Sequence, residues 1–97
     1  MREVWLVSTD KRPKAEEVLK KDDLISRQSI FVRAPGTLGL DEDGFFIIID
    51  GSDKAITHAT GLLKDLAKKY DDKDVVLQKF DEMEASTTES FGFIIGG

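Results

Sequence analysis

Two short segments constrain this chain more than any other: Val4-Trp5-Leu6-Val7 and Phe45-Phe46-Ile47-Ile48-Ile49. Each is rich in β-branched and aromatic residues, the composition of a strand. Neither alternates apolar with polar. Side chains alternate between the two faces of a strand, so both segments carry apolar groups front and back. Such strands belong at the centre of a sheet that is covered on both faces.

The flanking segments supply the rest of an α+β order. Glu3 to Ser8 reads as the first strand. Thr9-Asp10 offers an N-cap for a helix with Pro13 in its first turn and Ala15, Val18 and Leu19 on one face. Ser29 to Arg33 reads as the second strand, followed by a break at Ala34-Pro35-Gly36 and a turn at Asp41-Glu42-Asp43-Gly44. Phe45 to Asp50 is the third strand. Ser52 or Asp53 caps a second helix on which Ala55, Ile56, Ala59, Leu62, Leu63, Leu66 and Tyr70 recur at helical spacing. Val75 to Phe80 reads as a fourth strand, Asp81 to Ser90 as an acidic loop, and Phe91 to Ile95 as a further C-terminal strand.

This β-α-β-β-α-β order resembles the ferredoxin-like arrangement. The resemblance implies a single α+β domain over residues 1–97, an antiparallel sheet with the first and third strands inside, and two helices on one face. The mixed patterns of Ser29–Arg33 and Val75–Lys79 suit edge strands. The other sheet face would then stay open and greasy. One large aromatic buries about 150–250 Å², worth roughly 4–6 kcal/mol as an upper bound, so something is expected to cover that face. A homodimer through the open face is the expectation, with Trp5, Phe45, Ile47, Phe91 and Phe93 as interface residues. The alternative is that the segment from Asp81 to Gly97 folds over the face within one chain.

Composition narrows the chemistry. The 97 residues include no cysteine and one histidine, His58. A disulfide framework, a zinc–thiolate site and a thiol nucleophile are excluded. No catalytic residue, metal site or cofactor is expected, since His58 has no carboxylate partner nearby in sequence. The acidic groups at 41–43, 71–74 and 81–84 read as turn chemistry and solvation. A net charge of −5 disfavours phosphate backbones. No apolar run approaches a membrane span, and the N-terminus lacks the features of a signal peptide, so the expected location is cytoplasmic. Asn is absent and Gln occurs only at 28 and 78, a composition associated with heat-loving sources.

Thr9, Asp10, Lys11 and Arg12 form the one loop with ligand-binding chemistry, because the start of a helix and two cations favour an anion. The element order also resembles that of ACT regulatory domains, which implies a small-ligand sensor. Val4-Trp5-Leu6-Val7 and Gly44-Phe45-Phe46-Ile47-Ile48 partly resemble the strand motifs of RNA recognition motifs. Ile47 stands there in place of a stacking aromatic, and the leading basic residue is missing. The Gly96-Gly97 end resembles that of ubiquitin-like carriers. A small non-enzymatic, dimeric interaction or regulatory module is the leading expectation for function.

Overall fold

The computed structural model describes residues 1–96, with side chains for residues 1–84. Four strands form one sheet: β1 (Arg2–Val7), β2 (Ser29–Arg33), β3 (Phe45–Asp50) and β4 (Ala67–Lys69). Their order is β2-β3-β1-β4, and every neighbouring pair is antiparallel. The two strands with apolar residues on both faces, β1 and β3, lie inside as their composition requires.

The helices are α1 (Arg12–Lys21), α2 (Asp53–Leu62) and α3 (Lys73–Gly96), and 3-10 turns occur at Ile25–Arg27 and Pro35–Leu38. Ser52 caps α2 by accepting the Ala55 amide at 3.1 Å. At α1 the residue preceding the helix is Lys11, which makes no side-chain cap bond. The Asp10 carboxyl is held below its ordinary range, chiefly by the nearby Ser8 hydroxyl. The expected Thr9-Asp10 cap is therefore displaced by a turn in which the Lys11 and Arg12 amides both donate to the Ser8 carbonyl.

The strand register fixes two cores. Trp5, Val7, Ile47 and Ile49 face α1 and α2, where they meet Ala15, Leu19, Ala55, Ile56 and Ala59. Val4, Phe46 and Ile48 face the other way and meet Val76, Leu77 and Phe80 of α3, together with Leu38. The second face is thus covered from within the chain.

This arrangement corrects the expected order at three places. Val75–Phe80, expected as the fourth strand, belongs to α3. Val76, Leu77, Phe80 and Met83 fall at helical spacing along one face; the first three belong to the core on that side of the sheet, and Met83 packs against it. The fourth strand is instead Ala67–Lys69, because α2 ends at Leu62. The Leu63 carbonyl then accepts the amides of Leu66 and Ala67, so Leu66 and Tyr70 extend the helical spacing beyond the helix itself. The expected loop at 81–90 and C-terminal strand at Phe91–Ile95 both lie within α3.

Polar ties fasten α3 to the sheet. Arg2 forms a two-pronged pair with Asp81, at 2.6 and 3.0 Å, which holds the Asp81 carboxyl below its ordinary range. The Arg33 guanidinium donates to Glu84 at 3.1 Å and lies near the rings of Phe31 and Phe80. Glu3, only 7% exposed, meets Lys69 at 3.8 Å and Lys73 at 3.5 Å. The exposed Arg2–Asp81 and Arg33–Glu84 pairs contribute at most about 1 kcal/mol each, so they set the helix's position and the apolar contacts supply most of its hold. No helix among the described residues is long and apolar enough to cross a membrane.

Candidate functional sites

Two features stand out at opposite margins of the sheet: the free edge of β2, and a cleft beside β4.

The direction of each backbone group follows from the register. The Gly51 amide donates to the Met1 carbonyl. Residues 45, 47 and 49 of β3 therefore bond toward β1, and Phe46, Ile48 and Asp50 bond toward β2. These three stand opposite Arg33, Phe31 and Ser29. The amides and carbonyls of Ile30 and Val32 must then point outward, away from the sheet. The Arg33 guanidinium reaches the Val32 carbonyl at 3.0 Å, as an outward carbonyl allows. The remaining outward groups have no backbone partner among the contacts of the described residues.

The cleft has a volume of about 310 Å³. Leu6, Leu66 and Ala67 give it an apolar floor, and Ser8, Lys11, Lys64 and Lys68 bring polar and cationic groups around it, with Asp43 and Asp65 also present. Its walls come from three turns. The α2–β4 turn carries Lys64, Asp65 and Leu66, and the β1–α1 turn carries Ser8 and Lys11. The third turn contains Asp43 and ends at Gly44, whose backbone lies against the Val7 carbonyl with φ +102°. A second cleft of about 300 Å³ adjoins it, sharing Leu6 and Lys68 and reaching Tyr70. The Tyr70 hydroxyl donates to Glu42 at 2.9 Å, which raises the phenol's pKa.

Of the four residues expected to bind a ligand, the structure places only Lys11 in the cleft; Thr9, Asp10 and Arg12 are not part of its lining. Arg12 lies over the Phe45 ring at 4.4 Å, and its buried Nε has no hydrogen-bond partner among the described residues. Lys64 and Lys68 were not legible as site residues, because the sequence pattern assigns both to the polar side of a longer helix.

The residues expected at an interface are also dispersed. Trp5 and Ile47 are 1% and 0% exposed and pack beneath α1 and α2, and Phe45 is half-buried below Arg12. Phe91 and Phe93 lie outside the residues whose side chains are described. The positions that resemble the stacking aromatics of RNA-binding motifs, Trp5, Phe45 and Ile47, share the sheet face that lies beneath α1 and α2.

His58 does have a carboxylate partner, 36 residues away. Its Nε2 lies 2.7 Å from Asp22 Oδ2. Asp22 also accepts the amides of Leu24 and Ile25 at 3.0 Å each. The Ile25 amide bond, aided by His58, lowers the Asp22 pKa. The pair joins α2 to the segment that leads into β2. No local sequence signal announces it.

Compared with known proteins, the chain matches no family model, no curated sequence and no solved structure.

Proposed function

We propose that this chain is a non-enzymatic interaction module that associates with a second copy of itself through the edge of β2. The strand order supports reading its first four strands as ferredoxin-like, with α3 added over the second sheet face. That cover removes the reason for placing a dimer on the face and shifts attention to the edges.

The observation that carries the proposal is the outward aim of the Ile30 and Val32 backbone on a strand with an unguarded sequence. Exposed edges invite pairing, and natural edges are blunted by short length, lysines, prolines or bulges. β4 has such protection, being three residues long with Lys68 and Lys69. β2 is Ser-Ile-Phe-Val-Arg and has none in its centre.

The β2 sequence is also complementary to itself. In an antiparallel pair centred on Phe31, Ile30 stands opposite the partner's Val32, and Val32 opposite the partner's Ile30. Each pair exchanges two backbone hydrogen bonds, and Arg33 releases the Val32 carbonyl to permit them. Phe31 meets the partner's Phe31, and Ser29 faces the partner's Arg33. No like charges are opposed. A contact of this kind lies at the small end of interface sizes, so affinity in the micromolar range, about −8 kcal/mol, is expected.

Charge placement at Ser29 tests the register. Ser29 is exposed, so substitution there should leave the fold intact. Ser29→Glu places an acid opposite the partner's Arg33 twice per dimer, and Ser29→Lys places a cation there. Cross-strand pairs are worth about 0.2–1 kcal/mol each. Sedimentation equilibrium should show Ser29→Glu dimerising more tightly and Ser29→Lys less tightly than the natural chain, by roughly two- to tenfold each way. A natural chain that stays monomeric at about 100 µM, far above the expected constant, would end this reading.

A further inference from the structure

The cleft beside β4 owes nothing to the β2 edge and carries a separate inference. Lys11, Lys64 and Lys68 come from three different positions in the fold: the β1–α1 turn, the α2–β4 turn and β4 itself. None of the three makes an ion pair among the described residues, and neither do Asp43 and Asp65 in the same lining. The cleft thus carries a local excess of one positive charge on a chain whose net charge is −5.

Three lysines outnumber two aspartates in this lining, and that excess of positive charge favours an anion placed beside the lysines. The floor selects for more than charge. Leu6, Leu66 and Ala67 present apolar surface that a bare inorganic ion leaves wet, whereas an organic body would cover it. Small-molecule sites commonly combine an apolar lining with a few placed polar groups, and about 310 Å³ lies at the small end of their range.

We propose that the cleft binds a small organic phosphate monoester, its phosphoryl group among Lys11, Lys64 and Lys68 and its apolar body on Leu6 and Leu66. Ser8 also lines the cleft. Asp43 and Asp65 limit the charge that the site tolerates, so polyanions bind no better than a single phosphoryl group.

Phenyl phosphate serves as the probe, followed by the backbone amide resonances of the full chain. It should shift Ser8, Lys11, Leu66 and Lys68 saturably, with half-saturation at or below about 1 mM. Inorganic phosphate should bind the same residues about tenfold more weakly, and phenol should leave them unmoved. Lys64→Gln combined with Lys68→Gln alters exposed side chains only, and an unchanged amide spectrum elsewhere will show that the fold survives. This double variant should lose at least tenfold in phenyl phosphate affinity. The proposal is overturned if phenyl phosphate gives no saturable shift at about 10 mM, if the shifts centre on other residues, or if the double variant binds unchanged. Phosphate and phenyl phosphate binding equally would overturn the role of the apolar floor.

Discussion

Phe80→Ala is expected to destabilise the chain by about 3–5 kcal/mol, the cost of truncating a buried phenylalanine. Phe80 is 5% exposed, and its ring centroid lies 4.9 Å from that of Phe31. It also shares the second core with Val4, Phe46 and Ile48. Domains of this size have total stabilities of about 5–15 kcal/mol, so the variant should lose a large part of its folding free energy. Val75, on the solvent side of the same helix and 44% exposed, provides the contrast. Val75→Ala should change stability by no more than about 0.5 kcal/mol. Urea unfolding of the two variants measures both. If residues 75–80 formed an alternating edge strand, the asymmetry would follow a two-residue period: Val76, Gln78 and Phe80 would share one face, and Val76→Ala and Leu77→Ala would differ sharply. On a helix that buries both, each should be costly.

Gly44→Ala is the second large effect. At φ +102° the backbone favours glycine, and a Cβ there would approach the Val7 carbonyl far inside contact distance. Alanine at a positive φ costs about 1 kcal/mol or more, and this obstacle is backbone that cannot rotate away. The strain falls where β3 begins beside the end of β1, so the first turn of the central pair must shift. A loss of about 2 kcal/mol or more is expected in the same unfolding experiment. Gly36, which has open space around it and no positive φ, should accept alanine with little change. Equal behaviour at the two positions would contradict the close approach of Gly44 to Val7.

The central part of the fold was legible because its signals are local. Ser29–Arg33 and Phe45–Asp50 are bounded by turn residues and match the observed strands, and Ser52 caps α2 as its position suggests. The inside position of β1 and β3 followed from apolar residues on both faces. The C-terminal third was misread for an equally physical reason. Val75-Val76-Leu77 is a short apolar run, and such runs suit a buried strand or a helix equally well until more of the spacing is weighed. Extending the count to Phe80 and Met83 reveals the helical stripe. Leu66 and Tyr70 misled in the opposite sense, since their spacing continues α2 while the chain has already turned at Leu63 into β4.

That one exchange of helix for strand altered the functional expectation. With the C-terminal segment read as sheet, the second face lacked a cover. With α3 across it, Trp5 and Ile47 become ordinary core residues. The candidate sites depend on long-range register and on turns. Lys11, Lys64 and Lys68 line one cleft only because β1 pairs with β4. Ile30 and Val32 point outward only because Gly51 bonds to Met1 and sets the parity of the whole sheet.

Amide hydrogen exchange at Ile30 and Val32, followed at low and high protein concentration, addresses self-association at β2 most directly. Phe31, whose amide bonds inward to β3, should be protected at both concentrations. Ile30 and Val32 should exchange rapidly in dilute solution and become protected as concentration rises, in step with the dimer fraction from sedimentation. Protection that stays absent at these two amides while the chain dimerises would contradict the account and place the contact elsewhere.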